Sequence, residues 1–391
     1  MKAQTLASWI VCGLSTALAA PILNETSFDP QAAATRQLVI YQNNLSAYQN
    51  KTLVDRKATL NATAAAATCS ADKVVYRREW GDMPTSDRKA YTDAVMCLMK
   101  LPALSSPDEV PGARSRYDDF VAMHIYYAPF VHQDGLFLTW HRYFVHLYEK
   151  ALKEECGYKG TQPYWDWTKN WSDLSKSPVF DGGPYSMGSN GKYIPNRGPI
   201  NDTGLGSTRL LNPGSGGGCI ERGPFSNLTI NLGPVALLPA GPDGGYGYNP
   251  RCLTRDFSQQ WLNNTKPTDI ANVIKATDQI AAFDIQFEAL LGPHAGGHFG
   301  VGGMMPDQYA STADPIFWLH HGMMDRTWTL WQGRDPAARL NQVGRTTTNQ
   351  NNPPSANATL DSVLEFGILG TPQKLRDLVS TIDGPFCYQY L

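Results

Sequence analysis

The chain has 391 residues, 42% of them hydrophobic, and a formal net charge of −2. That is length enough for a large core and too little net charge to attract nucleic acid or an anionic membrane surface. Only 17% of residues are charged, while Gly and Pro number 35 and 27, a balance that favours long ordered loops over a helical frame.

Residues 1–19 read as a secretion signal. Lys2 supplies the positive end, Leu6–Leu14 is mostly apolar, and Ala17-Leu18-Ala19 is a small-x-small cleavage site. The apolar stretch is too short to span a bilayer, and no other segment reaches 18 apolar residues. The expected location is therefore outside the cell. Cys12 would leave with the signal, and six cysteines remain. Six thiols in an oxidising compartment imply three disulfides among 15 possible pairings. The pairing expected is Cys97–Cys156, Cys219–Cys252 and Cys69–Cys387, the last tying together the two ends of the domain. Nine N-x-S/T sequons (Asn24, Asn44, Asn50, Asn61, Asn170, Asn201, Asn227, Asn263 and Asn357) mark candidate glycosylated surface loops.

Residues 20–68 read as an N-terminal extension. Ala32–Leu53 is either a helix packed on the outside or part of a segment open to processing. The remainder, 69–391, shows no internal repeat and no linker and reads as one domain. A helix is expected over 77–102, with Arg78, Asp82 and Lys89 outward and Met96, Leu98 and Leu101 inward. Another covers Tyr117–Tyr127 and stops before Pro129. Gly135–Cys156 has Phe137, Trp140, His141, Phe144 and Tyr148 at helical spacing and ends at Gly157. Residues 178–255 are rich in Gly and Pro and read as one cross-linked loop region with short strands. Helices resume at Pro267–Lys275 and Thr277–Leu291. Asp314 and Pro315 open a last helix, as N-cap and first residue, that runs to Gln332. An extended tail follows Leu375.

All eight histidines fall in two windows: His124, His132, His141 and His146, then His294, His298, His320 and His321. Imidazole is the commonest transition-metal ligand, and two such clusters point to two ions. His294 and His298 lie one helical turn apart, so both can face one ion. The zinc-protease motif would need Glu after the first of them, and Ala295 stands there. On the last helix, Phe317, His321, Met324, Trp328 and Trp331 form one stripe, which makes His321 the third ligand and leaves His320 behind it. Asp325, one turn on, is expected to accept the remaining N–H of His321. His124, His132 and His141 form the other set, and His146 points elsewhere. A dinuclear zinc hydrolase would normally use bridging carboxylates, and neither cluster offers one as a sequence neighbour.

Taken together, His124-x7-His132-x8-His141-Arg142-Tyr143-Phe144, His294-x3-His298 and Asp314-Pro315-Ile316-Phe317-Trp318-Leu319-His320-His321 resemble the two copper signatures of the type-3 copper polyphenol oxidases. That family includes tyrosinases, catechol oxidases and hemocyanin domains. Tyr164-Trp165-Asp166-Trp167, Asp325-Arg326 and Tyr388-Gln389-Tyr390 extend the resemblance over about residues 70–390, most closely to the short secreted fungal members.

The resemblance implies a mainly α fold whose four-helix bundle holds two copper ions, with long loops and a few short strands. His124, His132 and His141 would hold one ion, and His294, His298 and His321 the other. O2 would be the co-substrate and a small phenol the substrate. Monophenol-hydroxylating relatives carry Asn directly after the first ligand of the second set, working with an upstream Glu. Here Ala295 follows His294 and Glu288 lies upstream, a pattern that favours o-diphenol oxidation over tyrosinase or o-aminophenol oxidase activity. A hemocyanin-like carrier is disfavoured because no long shielding domain follows. No Cys lies between His124 and His141, so the Cys–His thioether of many relatives is missing and His132 should be freer. Phe299, Gly302, Gly303 and Met304 are expected to line the substrate mouth.

Overall fold

The computed structural model describes residues 29–60, 69–204, 206 and 208–391. The expected signal at 1–19 and the sequons Asn24 and Asn61 lie outside these residues. The fold is mainly helical, as expected. Helix α1 (Pro30–Leu60) buries Ala34, Leu38, Leu45 and Leu53 along one side, and Gln49 donates to Thr381 Oγ1 at 2.9 Å in the interior. The segment read as an extension is thus a docked helix, longer than its expected span.

The expected helix over 77–102 is shorter. Val75–Arg77 is a strand instead, paired in parallel with Tyr388–Tyr390, and α2 occupies Thr85–Leu98. Pro84 sets the boundary, because proline inside a helix removes a hydrogen bond and clashes with the preceding turn. Helix α3 (Arg116–Tyr127) opens on a capping box, Ser115 with Asp118. Helix α4 (Phe137–Cys156) ends at Gly157, whose φ of 68° lets the chain turn back.

Residues 178–255 contain small ribbons rather than a sheet. Gly191–Tyr193 pairs with Gly217–Ile220, Ile200–Asp202 with Arg209–Leu211, and Thr229–Ile230 with Arg251–Cys252. Beyond them lie α5 (Gln259–Leu262), α6 (Pro267–Lys275), α7 (Ile280–Glu288), α8 (Pro293–Val301) and α9 (Ile316–Gln332). Helix α7 is shorter than the expected Thr277–Leu291. Gly292 and Pro293 begin a new helix, and Pro is tolerated only in its first turn. Asp314 stands one residue further from α9 than expected. Its Oδ1 still accepts from the N–H of Ile316 at 3.0 Å, and both its oxygens hold Arg255 at 2.8 Å.

Three disulfides join Cys69 to Cys387, Cys97 to Cys156 and Cys219 to Cys252, the pairing set out from the sequence. Each of the seven described sequon asparagines is exposed. Inside, seven of the ten tryptophans are fully buried. Four of them, Trp140 on α4 and Trp318, Trp328 and Trp331 on α9, sit on the two helices that pack against each other in the core.

Candidate metal centre

Each histidine of the first set comes from a different piece of chain. His124 is on α3, His132 follows it in the turn before α4, and His141 is on α4. His294 and His298 lie one turn apart on α8, and His321 faces them from α9. The two groups, His124/His132/His141 and His294/His298/His320/His321, each gather their donor atoms within 4.8 Å of one another.

Backbone carbonyls orient the rings. The Nδ1 atoms of His124, His132, His141 and His298 lie 2.7–2.9 Å from the carbonyl oxygens of Tyr309, Ala128, Phe137 and Met305. A carbonyl can only accept, so each Nδ1 carries the proton and each Nε2 keeps its lone pair. Those lone pairs converge. His124 and His141 Nε2 are 3.4 Å apart, and His298 Nε2 is 3.1 Å from His294 Nε2 and 3.2 Å from His321 Nε2. Nitrogens each about 2.0–2.1 Å from one ion in tetrahedral array would sit about 3.3 Å apart. The donor set therefore fits a small transition-metal ion. The two groups also touch, because the rings of His141 and His321 stack at 4.6 Å.

Burial keeps all eight imidazoles neutral by pushing each below its ordinary value, His132 and His146 to about 4 and His298 to about 3. Neutral imidazole is the metal-binding form. The surroundings are aromatic: Phe317 stacks on His321 at 3.9 Å and meets His124 edge-on at 5.1 Å.

Several sequence expectations meet a different geometry. Asp325 does not serve His321. Its Oδ1 takes Arg142 Nε at 2.5 Å, and its Oδ2 accepts from the hydroxyls of Tyr388 and Tyr390, both at 2.6 Å. Two guanidiniums and two phenols outbid one ring N–H, and His321 Nδ1 is buried without a protein partner. His320 is closer to the centre than the 100° offset suggested. Its ring sits 4.2 Å from that of His298 and 4.9 Å from that of Trp167. It fills the space a side chain at Gly297 would need, since a Cβ there would fall 2.3 Å from His320 Cε1. His146 faces away and stacks on Tyr143 at 5.5 Å. Nor is the turn at His132 loose: Asn349 Nδ2 donates to His132 O at 2.9 Å, and the N–H of Gln350 to Gln133 O at 3.1 Å.

A pocket opens over the histidines, lined by His132, Glu288, His294, Ala295, His298 and Phe299 together with Arg209, Met305, Gln308 and Ser311. Phe299 is in this lining. Gly302, Gly303 and Met304 are not in this lining. The glycines turn the chain with φ of 65° and 61° and press on the backbone of Asp256 and Thr254, which leaves no room for a Cβ. That reversal aims Met304 at Arg251, 3.4 Å from its Sδ, and gives the pocket wall to Met305. Arg209 and Ser311 escaped the sequence reading because neither stretch carries a periodic pattern or a ligand spacing. A larger cavity, between α2, α3 and residues 224–232, contains no histidine.

Glu288 is buried at the pocket wall. Arg345 Nη1 reaches it at 2.5 Å and Asp284 at 2.9 Å, and the N–H of Gln133 donates to it at 2.7 Å. One guanidinium facing two carboxylates neutralises only one. Burial, reinforced by the charge of Asp284, thus pushes the Glu288 carboxyl well above its ordinary value.

Residues 114–334 match the family model for the common central domain of tyrosinase. The chain is 40% identical over 357 residues to tyrosinase P of Aspergillus terreus, covering 88% of this chain and 99% of that protein. It is 37% identical to the N-acetyl-6-hydroxytryptophan oxidase of Emericella nidulans, over 85% of this chain and 99% of that one. A polyphenol oxidase from Thermothelomyces thermophila, solved as the mutant G292N, superposes with a TM-score of 0.85 at 39% identity, over 91% of this chain and 98% of that one.

Proposed function

The chain belongs to the tyrosinase family of copper oxidoreductases, and from that premise we propose that it is a secreted dicopper oxidase converting o-diphenols to o-quinones with O2. The observation that carries this reading is the convergence of six neutral imidazoles as two adjoining triads. His124, His132 and His141 would hold one copper, and His294, His298 and His321 the other. Copper bound there would supply the two-electron oxidation of a catechol, two catechols being consumed per O2 reduced to two waters. The protein supplies position and surroundings. Carbonyl-locked Nδ1–H groups aim the lone pairs, and Phe317 and Phe299 keep the site apolar. Uncharged ligands leave the metals' positive charge uncompensated, which favours phenolate oxygen over neutral groups.

Ala295 directs the choice of phenol. It stands beside Glu288 in the pocket wall and presents only a methyl group, so it cannot orient a water toward a monophenol's hydroxyl. The protein is accordingly a catechol oxidase in preference to a tyrosinase or an o-aminophenol oxidase. Secretion is supported by three disulfides and by the seven described sequon asparagines, all at the surface. The test is elemental analysis of the purified protein together with oxygen uptake on catechol, tyrosine and o-aminophenol. Two coppers per chain and fastest turnover of catechol are expected. A protein that binds zinc alone, or binds O2 reversibly without turnover, would refute the reading.

A further inference from the structure

We propose that Arg209 makes the pocket selective for o-diphenols whose side chain ends in a carboxylate; this rests on the oxidase reading above and names the substrate class of that same site. Arg209 is the only Lys or Arg among the described residues that line the pocket. It is held in place from two directions. Asp202, fully buried, meets its Nε at 2.7 Å, and its Nη2 donates to Gly204 O at 2.5 Å. Asp202 is itself fixed by the N–H of Gly204 at 2.9 Å. A guanidinium has five N–H donors in a rigid fork. The Gly204 contact uses one of them, and Asp202 pairs with the charge without a hydrogen bond at Nε.

The guanidinium carbon lies 5.6 Å from the ring centre of Phe299, the residue that directly follows His298. Phe299 stacks on Trp261 at 4.7 Å. The cation is thereby built into the aromatic wall next to the histidine-bearing helix, in the same pocket lining as His294 and His298. A second polar group lines the same pocket. Ser311 lines this pocket, is 1% exposed, and its hydroxyl has no partner. Across the lining, Glu288 is already engaged by Arg345, so it offers little to a substrate amine. A fixed guanidinium with an unpaired hydroxyl is a receptor for an acceptor, and the planar fork matches a carboxylate.

The test uses three catechols of one shape: 3-(3,4-dihydroxyphenyl)propionate, 4-ethylcatechol and dopamine. In the copper-loaded enzyme kcat/KM should fall in that order, with the anion about tenfold above the neutral ring, the size of one charge-assisted hydrogen bond. Arg209→Gln should abolish the preference, and Arg209→Lys should keep part of it. Binding of 3-phenylpropionate to the metal-free protein, by calorimetry, should weaken about tenfold in Arg209→Gln. Absence of an anion preference in the unaltered enzyme overturns the proposal without any variant. So does a preference that survives in Arg209→Gln. If none of the three catechols is oxidised, the oxidase reading fails, while the calorimetry still decides the role of Arg209.

Discussion

At the scale of single residues, the ligand assignment and the pocket assignment separate cleanly by experiment. His141 and His294 sit in different triads, so each single replacement should remove one metal and leave the other triad intact. His141→Ala or His294→Ala should bind about one copper per chain and lose oxygen-dependent catechol oxidation, while the far-ultraviolet spectrum is unchanged, because a helix tolerates Ala at either place. Full activity in either variant strikes that residue from the ligands. Ala295 is a different kind of position, one where a group is lacking. Ala295→Asn puts an amide next to Glu288, a carboxyl that burial and Asp284 push well above its ordinary value. The ratio of monophenol to diphenol turnover should rise about tenfold, the worth of roughly 1.4 kcal/mol in a barrier. An unchanged ratio would show that Ala295 does not control the choice.

At the scale of elements, one carboxylate ties the two central helices together. Asp325 lies one turn past His321 on α9, and its partner Arg142 directly follows His141 on α4. Arg142 also donates to the carbonyls of Leu378 and Val379 at 3.1 and 2.7 Å and stacks over Trp328 at 3.6 Å. On the other side, Arg77 reaches Asp325 at 3.4 Å and Glu149 at 2.7 Å. Burial alone would push the Asp325 carboxyl up. Arg142 and Arg77, with the two tyrosine hydroxyls, hold it below its ordinary value instead. Removing it would leave the buried Arg142 without a carboxylate, at a cost of about 3–5 kcal/mol, while Arg77 keeps Glu149. Asp325→Ala should therefore lower Tm by about 10 °C, whereas Tyr390→Phe, which removes one hydroxyl, should cost about 1.5–3 kcal/mol. An Asp325→Ala melting point equal to that of the parent would mean that the clamp contributes nothing.

This hub also shows how far the sequence could be read. His321 and Asp325 share a helix face by their spacing, so local geometry predicted a pair. What decided the matter was Arg77, Tyr388 and Tyr390, up to 313 residues apart in the chain, and no local pattern reports such a meeting. The helices with strong periodicity, α4 and α9, were legible to within two residues, and the two histidine clusters were legible as clusters because all eight histidines fall in two short windows. The pocket wall was not. Arg209 comes from a two-stranded ribbon in an aperiodic region, and Met305 replaces Met304 because a double-glycine turn reverses the chain.

At the scale of the whole molecule, the interior charge pattern fixes how stability depends on pH. All eight imidazoles are held below their ordinary value by burial, two to about 4 and one to about 3. An unfolded chain takes up their protons as pH falls through about 6.5, and the native chain does not until far lower. Their contribution is thus fully present above that value and lost as pH falls toward 4. Buried carboxyls act in the opposite sense. Burial raises Asp134 to about 8, Asp284 to about 7 and Glu288 well above its ordinary value, and what they contribute is present below about 4 and lost as pH rises from there through those values. The imidazoles outnumber these carboxyls, so the metal-free protein should be most stable near neutrality. Below pH 6.5 its melting temperature should drop steeply, and from pH 7 to 8 it should decline only slightly. Copper binds the neutral rings and stabilises the folded chain by mass action. The loaded protein should therefore hold its melting temperature further into acid, and the two curves should meet where protons displace the metal. Calorimetric scans of both forms between pH 4 and 8 would measure this. A metal-free melting temperature that is flat or rising between pH 6.5 and 5 would mean that these rings are not buried neutral, and the ligand geometry would fall with them.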